Sequence, residues 1–487
     1  MNKLLENINS LDQIKQIENN LDDYSPIYLS GLTDGFKPHL VLALFEKYEE
    51  NIVIIAENEK RAEIYLDSIN GIKENKAYLF PSLDINFYNI KSIDNRKLSQ
   101  RMEVLTKLAK KDTFIVITTL DAMTNKLSTL DRFNKSFVKI KDEDIIDVNN
   151  FIENLINLNY TANSLVENKG DFAKRGSIID FWPVSYDNPI RIELFDDEVD
   201  SIRIFDKDSQ RTIQKISEAE ISPVTELIYS KEDYDKAIKN INSEIEALEK
   251  ESSDISRQKL IDKYKQITNF IEESMYVSNI ELINPYREDN YSNFLDYMPK
   301  SGLVFFDDVA RVLENYDNFY DNFHEDLSLQ MENNEVFRSF EQARIPIDAI
   351  YKQIDNFRLV NLTSILKKSK LFNPRKIIEL KTIESENFNR KVDYFIDRTI
   401  ELANSGKKVL ILEGNEKTAS QLTEAYLEKD FTKVSNVEIG ENFDKIPIQI
   451  ANSASSSGYY IYDLDFYVFT HKEIYGSERK ARKRKSK

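Results

Sequence analysis

Apolar positions in the first 130 residues follow two alternating rhythms. Short apolar runs at 27–31 (IYLSG), 51–56 (NIVIIA), 76–81 (KAYLFP) and 113–119 (TFIVITT) read as buried strands. Between them, 38–50 (PHLVLALFEKYEE), 57–69 and 95–111 repeat their apolar residues at three- and four-residue spacing, the period of a helix, and 120–127 adds a short one. Strands alternating with helices predict a mostly parallel sheet covered on both faces. Near 135 the period shortens to two. Runs such as GSIIDFWP, PIRIELFDDEVDSIRIFD and IQKISEAEISP, jointed by Gly, Pro and Asp, predict antiparallel hairpins. From 231 to about 279 the helical period returns. Ile238, Ile241, Ile245 and Leu248 form one stripe, and Leu260, Tyr264, Ile267 and Ile271 a second. The break at 251–254 (ESSD) between them predicts a helical hairpin. The strand-like GLVFFDD (302–308) then resumes the α/β rhythm, so the β-rich stretch reads as an insertion into one unit. RKIIELKT (375–382), a helix stopping at Gly406, the strand 407–414, the helix 416–428 and the runs KIPIQIA and YYIYDLDFYVFT form a last α/β stretch.

The expected fold class is therefore multidomain α/β. A parallel-sheet domain in two segments, 1–134 and 223–345 (the latter with the helical hairpin), is interrupted by an antiparallel β-rich domain at 135–222. A small α/β domain follows at 350–472, and then a basic linker or tail at 473–487. A length of 487 residues fits roughly three domains.

Charge narrows the function. Lys plus Arg number 66 and Asp plus Glu 84, a net charge of −18. Seven basic residues fall in Arg479–Lys487, so the body before them carries 59 − 84 = −25. Such a body cannot bind by blanket neutralisation of phosphates. There is no cysteine, and the three histidines (His39, His324, His471) lie far apart, so neither a thiolate nor a His-rich metal site is expected. No apolar run approaches a membrane span and the first residues are polar, so a cytoplasmic chain without membrane contact is expected.

Three places hold candidate chemistry. GLTDGFKPHL (31–40) follows a strand as a phosphate loop does, with Gly31, Gly35 and Lys37 in suggestive positions. A working loop wraps phosphate in backbone N–H groups and ends in Gly-Lys-Ser/Thr. Here Phe36 takes the second glycine's place, Pro38 removes both hydroxyl and N–H, and Asp34 adds negative charge. The loop is expected to be degenerate and no cofactor is expected. FFDD (305–308) ends a strand where an acid would hold Mg²⁺. Without a live loop, Asp307 or Asp308 is expected to cap the next helix. The third candidate is 170–212. Alternation along the strand puts Arg191, Glu193 and Phe195 on one face and Ile190, Ile192 and Leu194 on the other. The Ile/Leu face is the natural core face. An Arg and a Phe left outside are residue types that anchor interfaces.

The run R-G-x-x-x-D-x-x-P…P-x-R-I-E-L-F-D-D-E-V-D-S-I-R-x-F-D…S-Q-R resembles the N-terminal region of bacterial transcription-repair coupling factor (Mfd), itself similar to the excision-repair protein UvrB. FPSLDINFYN with the Arg96–Arg101 helix behind it, 279–308, and the FTHKEIYG ending agree, so the resemblance covers essentially the whole chain. It implies an α/β domain in two segments interrupted by a β domain that binds the damage-recognition ATPase UvrA. It carries the family's UvrA-contacting arginine pair and phenylalanine onto Arg175, Arg191 and Phe195. The inactive loop fits the coupling factor and not UvrB, and there is no room near Phe87–Tyr88 for the DNA-inserting hairpin of UvrB. Polymerase-binding, motor and C-terminal regulatory domains are expected to be missing. Contact with RNA polymerase and with DNA is then expected only through those absent parts, apart from weak DNA contact by the basic tail. The chain is expected to be no enzyme but a UvrA-recruiting module, binding constitutively because the covering domain is absent. The alternative is a UvrB-like nucleotide-dependent repair enzyme.

Overall fold

The computed structural model describes residues 3–23, 25–83, 95–251, 255–274, 283–286, 291–436 and 442–476. The Phe87–Tyr88 stretch, the 252–254 break and residues 477–487 of the basic tail lie outside the described residues.

A seven-stranded parallel sheet organises the first unit. Its strand order is Lys376–Glu379, Ile27–Ser30, Arg358–Leu362, Leu303–Asp307, Ile52–Ile55, Ile115–Thr118 and Ala77–Phe80. The central strands are buried from end to end, which is why they read as unbroken apolar runs. Strands from both sides of the β-rich insertion share this sheet, as the returning period predicts. The boundary expected at 350 moves. Arg358–Leu362 and Lys376–Glu379 flank Ile27–Ser30 in the first sheet instead of opening the last unit. The physical reason is long-range pairing: Ile27–Ser30, buried at every position, takes a parallel ladder from each of these strands.

The insertion forms a six-stranded sheet in the order Thr212–Ile216, Glu198–Phe205, Ile190–Phe195, Ile178–Phe181, Asp171–Arg175, Thr161–Ala162. Every pair but the last is antiparallel. Its core face packs on the helix Val148–Asn157 through Phe151 and Leu155. Sequence reading passed over that helix inside a period-two region. Its signals are Asp147, whose carboxylate accepts the Asn149 and Asn150 N–H groups, and the i,i+4 pair Phe151–Leu155. The helices Lys231–Glu251 and Ile255–Ser274 bury Ile241 and Ile245 in one core with Leu260, Tyr264 and Ile271.

A second six-stranded sheet runs Thr382–Glu384, Tyr459–Ile461, Phe466–Thr470, Lys408–Leu412, Ile448–Ala451, Val434–Asn436. One face carries the helices Val392–Asn404, Glu416–Glu428 and His471–Tyr475. The other shares a core with the N-terminal helices and the helix Phe36–Tyr48. That helix lies between two sheets, which explains why Phe36 through Phe45 are all buried and why its sequence shows almost no polar face.

Two buried polar groups mark the joints. His39 is fully enclosed between the helix and the second α/β sheet, sharing a 2.7 Å hydrogen bond with the Tyr459 hydroxyl. Burial lowers its pKa to about 3, so it is neutral in the fold and takes a proton near 6.5 when unfolded. The unfolded chain then binds the extra proton, and stability drops as pH falls below about 6.5, by up to roughly 1.4 kcal/mol per pH unit from this group alone. His39→Gln should flatten the slope of unfolding free energy between about pH 6 and 4, measured by urea titration at each pH.

Arg101, fully buried, sits over the Phe80 ring at 3.8 Å, donates to both Glu226 oxygens (2.6 and 2.9 Å) and donates to the Pro81 carbonyl at 2.7 Å. Glu226 stands where the chain leaves the β-rich insertion, so the pair pins that return to the first unit. Arg101→Ala leaves Glu226 buried without its cation and should cost on the order of 3–5 kcal/mol, read by urea unfolding.

Candidate functional site

The loop after Ile27–Ser30 is filled by the protein itself. The Gly31 and Leu32 N–H groups donate to the Ser364 and Thr363 carbonyls, and the Phe36 and Lys37 N–H groups to the Thr33 carbonyl. The Thr33 N–H donates to the Thr382 hydroxyl at 2.9 Å. These N–H groups are among the donors that a phosphate loop offers. Both loop glycines are also closely packed. A Cβ on Gly31 would lie 2.0 Å from the Leu380 carbonyl oxygen, and one on Gly35 2.2 Å from that of Ser457. Gly31 has φ +76°, so the turn needs glycine on both counts.

Lys37 is buried and reaches Asp307 at 2.7 Å and Asp34 at 3.1 Å. Arg61 reaches the other Asp307 oxygen at 2.6 Å and Asp34 at 3.0 Å. The loop lysine and the strand-end acid thus neutralise each other. Burial opposes the Asp307 charge, but Lys37 and Arg61 outweigh it and hold the carboxyl below its ordinary range. Burial likewise opposes the Arg61 charge, and Asp307 more than offsets it, raising the guanidinium above its usual value. The capping role expected for Asp307 or Asp308 is not what the acids do. Asp308 occupies the cap position of helix Val309–Glu332 at φ 60° without a side-chain cap bond. Asn361 accepts the Val309 N–H instead, at 2.8 Å.

The outer face of the β-rich sheet is the other site. Strand register sets Asp180 opposite Arg191, and Arg191 opposite Arg203. Asp180 is only 1% exposed. It accepts two hydrogen bonds from Arg191 (2.7 and 2.9 Å) and one from Arg175 (2.5 Å). Arg191 also donates to Gln210 at 2.8 Å and lies over the Phe205 ring at 4.4 Å. Hydrogen bonding to Asp180 holds its guanidinium above the ordinary value. Arg203 pairs with Glu193 one row away. Arg191 is mostly covered, while the Arg175 side chain is 44% exposed. Phe195 closes its strand at a two-residue turn, with Asp196 at φ 61°, and stands 78% exposed. The structure therefore brings Arg175, Arg191 and Phe195 to one face. The two arginines converge on one carboxylate and the ring lies free at the hairpin tip.

Sequence reading missed two participants. Asp180 is the carboxylate that fixes both guanidinium groups, and its place opposite Arg191 was readable only with register known. Ile145, 76% exposed, forms a bridge with Glu198, the residue paired with Phe195, so two bare apolar side chains flank one acid. Its signal was the adjacent pair Ile145–Ile146, of which a strand can bury only one. Among the described residues no group of three or more His, Asp or Glu is placed to hold a metal ion, and no helix is long and apolar enough to cross a membrane.

Residues 138–227 match the family model described as the UvrB interaction domain. That stretch contains the strands carrying Arg175, Arg191 and Phe195. At the level of whole proteins, the chain is 23% identical over 491 residues to the transcription-repair-coupling factor of Bacillus subtilis, covering 98% of this chain and 41% of that protein. The transcription-repair-coupling factor of Staphylococcus epidermidis (strain RP62A) is 23% identical over 470 residues (95% and 39%), and that of Staphylococcus aureus (strain MRSA252) 22% over 479 (96% and 40%). The chain thus spans about two-fifths of the length of the curated relatives it matches. The resemblance read from the sequence, to the coupling-factor N-terminal region, is borne out across nearly the whole chain.

Proposed function

We propose that this chain is a UvrA-recruiting module of a transcription-repair coupling factor, acting by protein–protein binding and performing no chemistry itself. The observation that carries the reading is the exposed Phe195 beside the Arg175–Asp180–Arg191 cluster, inside the stretch that matches the UvrB interaction domain. Asp180 pre-sets both guanidinium groups, so little side-chain freedom is lost on binding. Arg175 spends one donor on Asp180 and keeps others for an acidic group of the partner. Phe195 gains roughly 1.5–3 kcal/mol when a pocket covers it. RNA polymerase contact and motor-driven work on DNA belong, in this reading, to parts of such proteins other than this chain.

The UvrB-like enzyme is disfavoured by the loop, where the Gly31, Leu32 and Thr33 N–H groups are bonded within the protein and Lys37 is held by Asp307 and Asp34. A calorimetric titration against UvrA, with ATP titrated in parallel, tests both readings. UvrA binding without ATP binding is expected, and excess UvrB should displace the chain. ATP binding without UvrA binding would return the enzyme reading.

A further inference from the structure

The connection from Leu362 to Lys376 is unlike the rest of this acidic surface. It leaves the carboxyl end of strand Arg358–Leu362 and returns at the amino end of Lys376–Glu379, the outermost strand of the seven-stranded sheet. The loop is held down along its course. The Ser364 hydroxyl donates to the Leu32 carbonyl and the Thr363 hydroxyl to that of Ile365, both at 2.7 Å. The buried Phe372 accepts from the Tyr28 hydroxyl at 3.0 Å, and the Arg375 N–H donates to the Pro26 carbonyl at 3.0 Å. Between these anchors, residues 365–376 hold Lys367, Lys368, Lys370, Arg375 and Lys376 and no acid. All but Lys376 are exposed, and Ile365 (72%) and Leu366 (47%) stand bare beside them. None of the five cations forms an ion pair with a described residue, although Arg358, just before the loop, pairs with both Asp22 and Glu50. A chain with 84 acidic side chains leaves its densest run of described cations unneutralised.

We infer that this loop is a docking site for the phosphate backbone of duplex DNA. Unpaired, anchored cations are the chemistry that backbone selects, because each phosphate contact releases a condensed counterion. The loop parallels a five-residue strand, a span of roughly 16 Å. Lys367, Lys368 and Lys370 lie in the first half of this connection and Arg375 and Lys376 at its close, so cations are offered along its length to a duplex backbone. No exposed aromatic ring lies in the loop to stack unpaired bases, so a duplex fits better than a single strand. The acidic body around it confines such contact to this edge and sets the duplex along it. The inference is independent of the UvrA reading, since the loop and the Phe195 face lie on different sheets.

The test is fluorescence anisotropy of the full chain with a labelled duplex of about 30 base pairs between 50 and 200 mM salt. The triple variant Lys367→Glu/Lys368→Glu/Lys370→Glu should bind at least about tenfold more weakly at the low-salt end. Its plot of log affinity against log salt should be shallower by roughly 3. A second variant lacking 479–487 should keep loop-dependent binding. Unchanged affinity and slope in the triple variant would overturn the inference and leave the loop as a charged guard on an open sheet edge. So would complete loss of binding on removing the tail alone. Loss of binding to an acidic protein with DNA binding intact would assign the loop to that class of partner. The triple variant should keep the parent melting temperature and UvrA affinity, and Phe195→Ala should keep the parent's DNA affinity, so the two readings fail separately.

Discussion

Asp307→Ala should be among the most damaging single substitutions in this chain, lowering unfolding free energy by about 3–5 kcal/mol. Asp307 is 3% exposed and holds Lys37 and Arg61 on its two oxygens. Without it, two cations remain in a closed space with only the half-exposed Asp34 between them. Asp307→Asn keeps the shape and removes the charge, and should lose most of the same energy. The sign of the pH effect follows from the depressed carboxyl. Its contribution is complete above the unfolded-state value near 4 and fades as pH falls toward its lower folded value. Urea unfolding at pH 7 checks the magnitude. A loss under about 1 kcal/mol would mean that water reaches the cluster and screens it. Neither variant should gain nucleotide binding, because the Gly31, Leu32 and Thr33 N–H groups stay bonded to Ser364, Thr363 and Thr382.

Phe195→Ala should do the opposite, leaving stability alone and removing affinity. The ring is 78% exposed in the free chain, so its loss opens no cavity. As the apolar anchor of the proposed interface it should cost at least about 2 kcal/mol of UvrA binding, roughly thirtyfold or more. Arg175→Ala should weaken binding while Arg191 still pairs with Asp180. Arg191→Ala is the less clean probe. It removes the two-point partner of a buried carboxylate, and its effect on binding will include local rearrangement of the sheet. The melting temperature of each variant separates these cases: the Phe195 and Arg175 variants should match the parent, and the Arg191 variant should fall below it.

Much of this architecture was written in periodicity. Buried strands such as NIVIIA and the paired stripes around Ile241 and Tyr264 can be read because one residue spacing serves one burial pattern. The helix Phe36–Tyr48 was legible as a helix, but its lack of a polar face is explained only by the second sheet packed on it. The sheet that Lys376–Glu379 joins was not legible for a related reason, and the strand Arg358–Leu362 was not read at all. Strand character is local, while the choice of sheet depends on pairing between residues far apart in sequence. At the site, alternation put Arg191 and Phe195 on the outer face. It could not show that Arg175 and Arg191 meet on Asp180, nor that Ile145 stands beside the hairpin tip, because both depend on register between strands. The degenerate loop was recognised by what it lacks. That Lys37 and Asp307, far apart in sequence, satisfy each other is a property of the folded sheet alone.

The central claim is that the outer face of the β-rich sheet recruits UvrA. The most direct measurement is a calorimetric titration of UvrA with the parent chain and with the Arg175→Ala/Phe195→Ala variant, both shown to melt at the same temperature. The account predicts a saturable complex for the parent and a loss of at least about a hundredfold for the variant. Equal affinity of the two proteins for UvrA, or no binding by the parent, would contradict it.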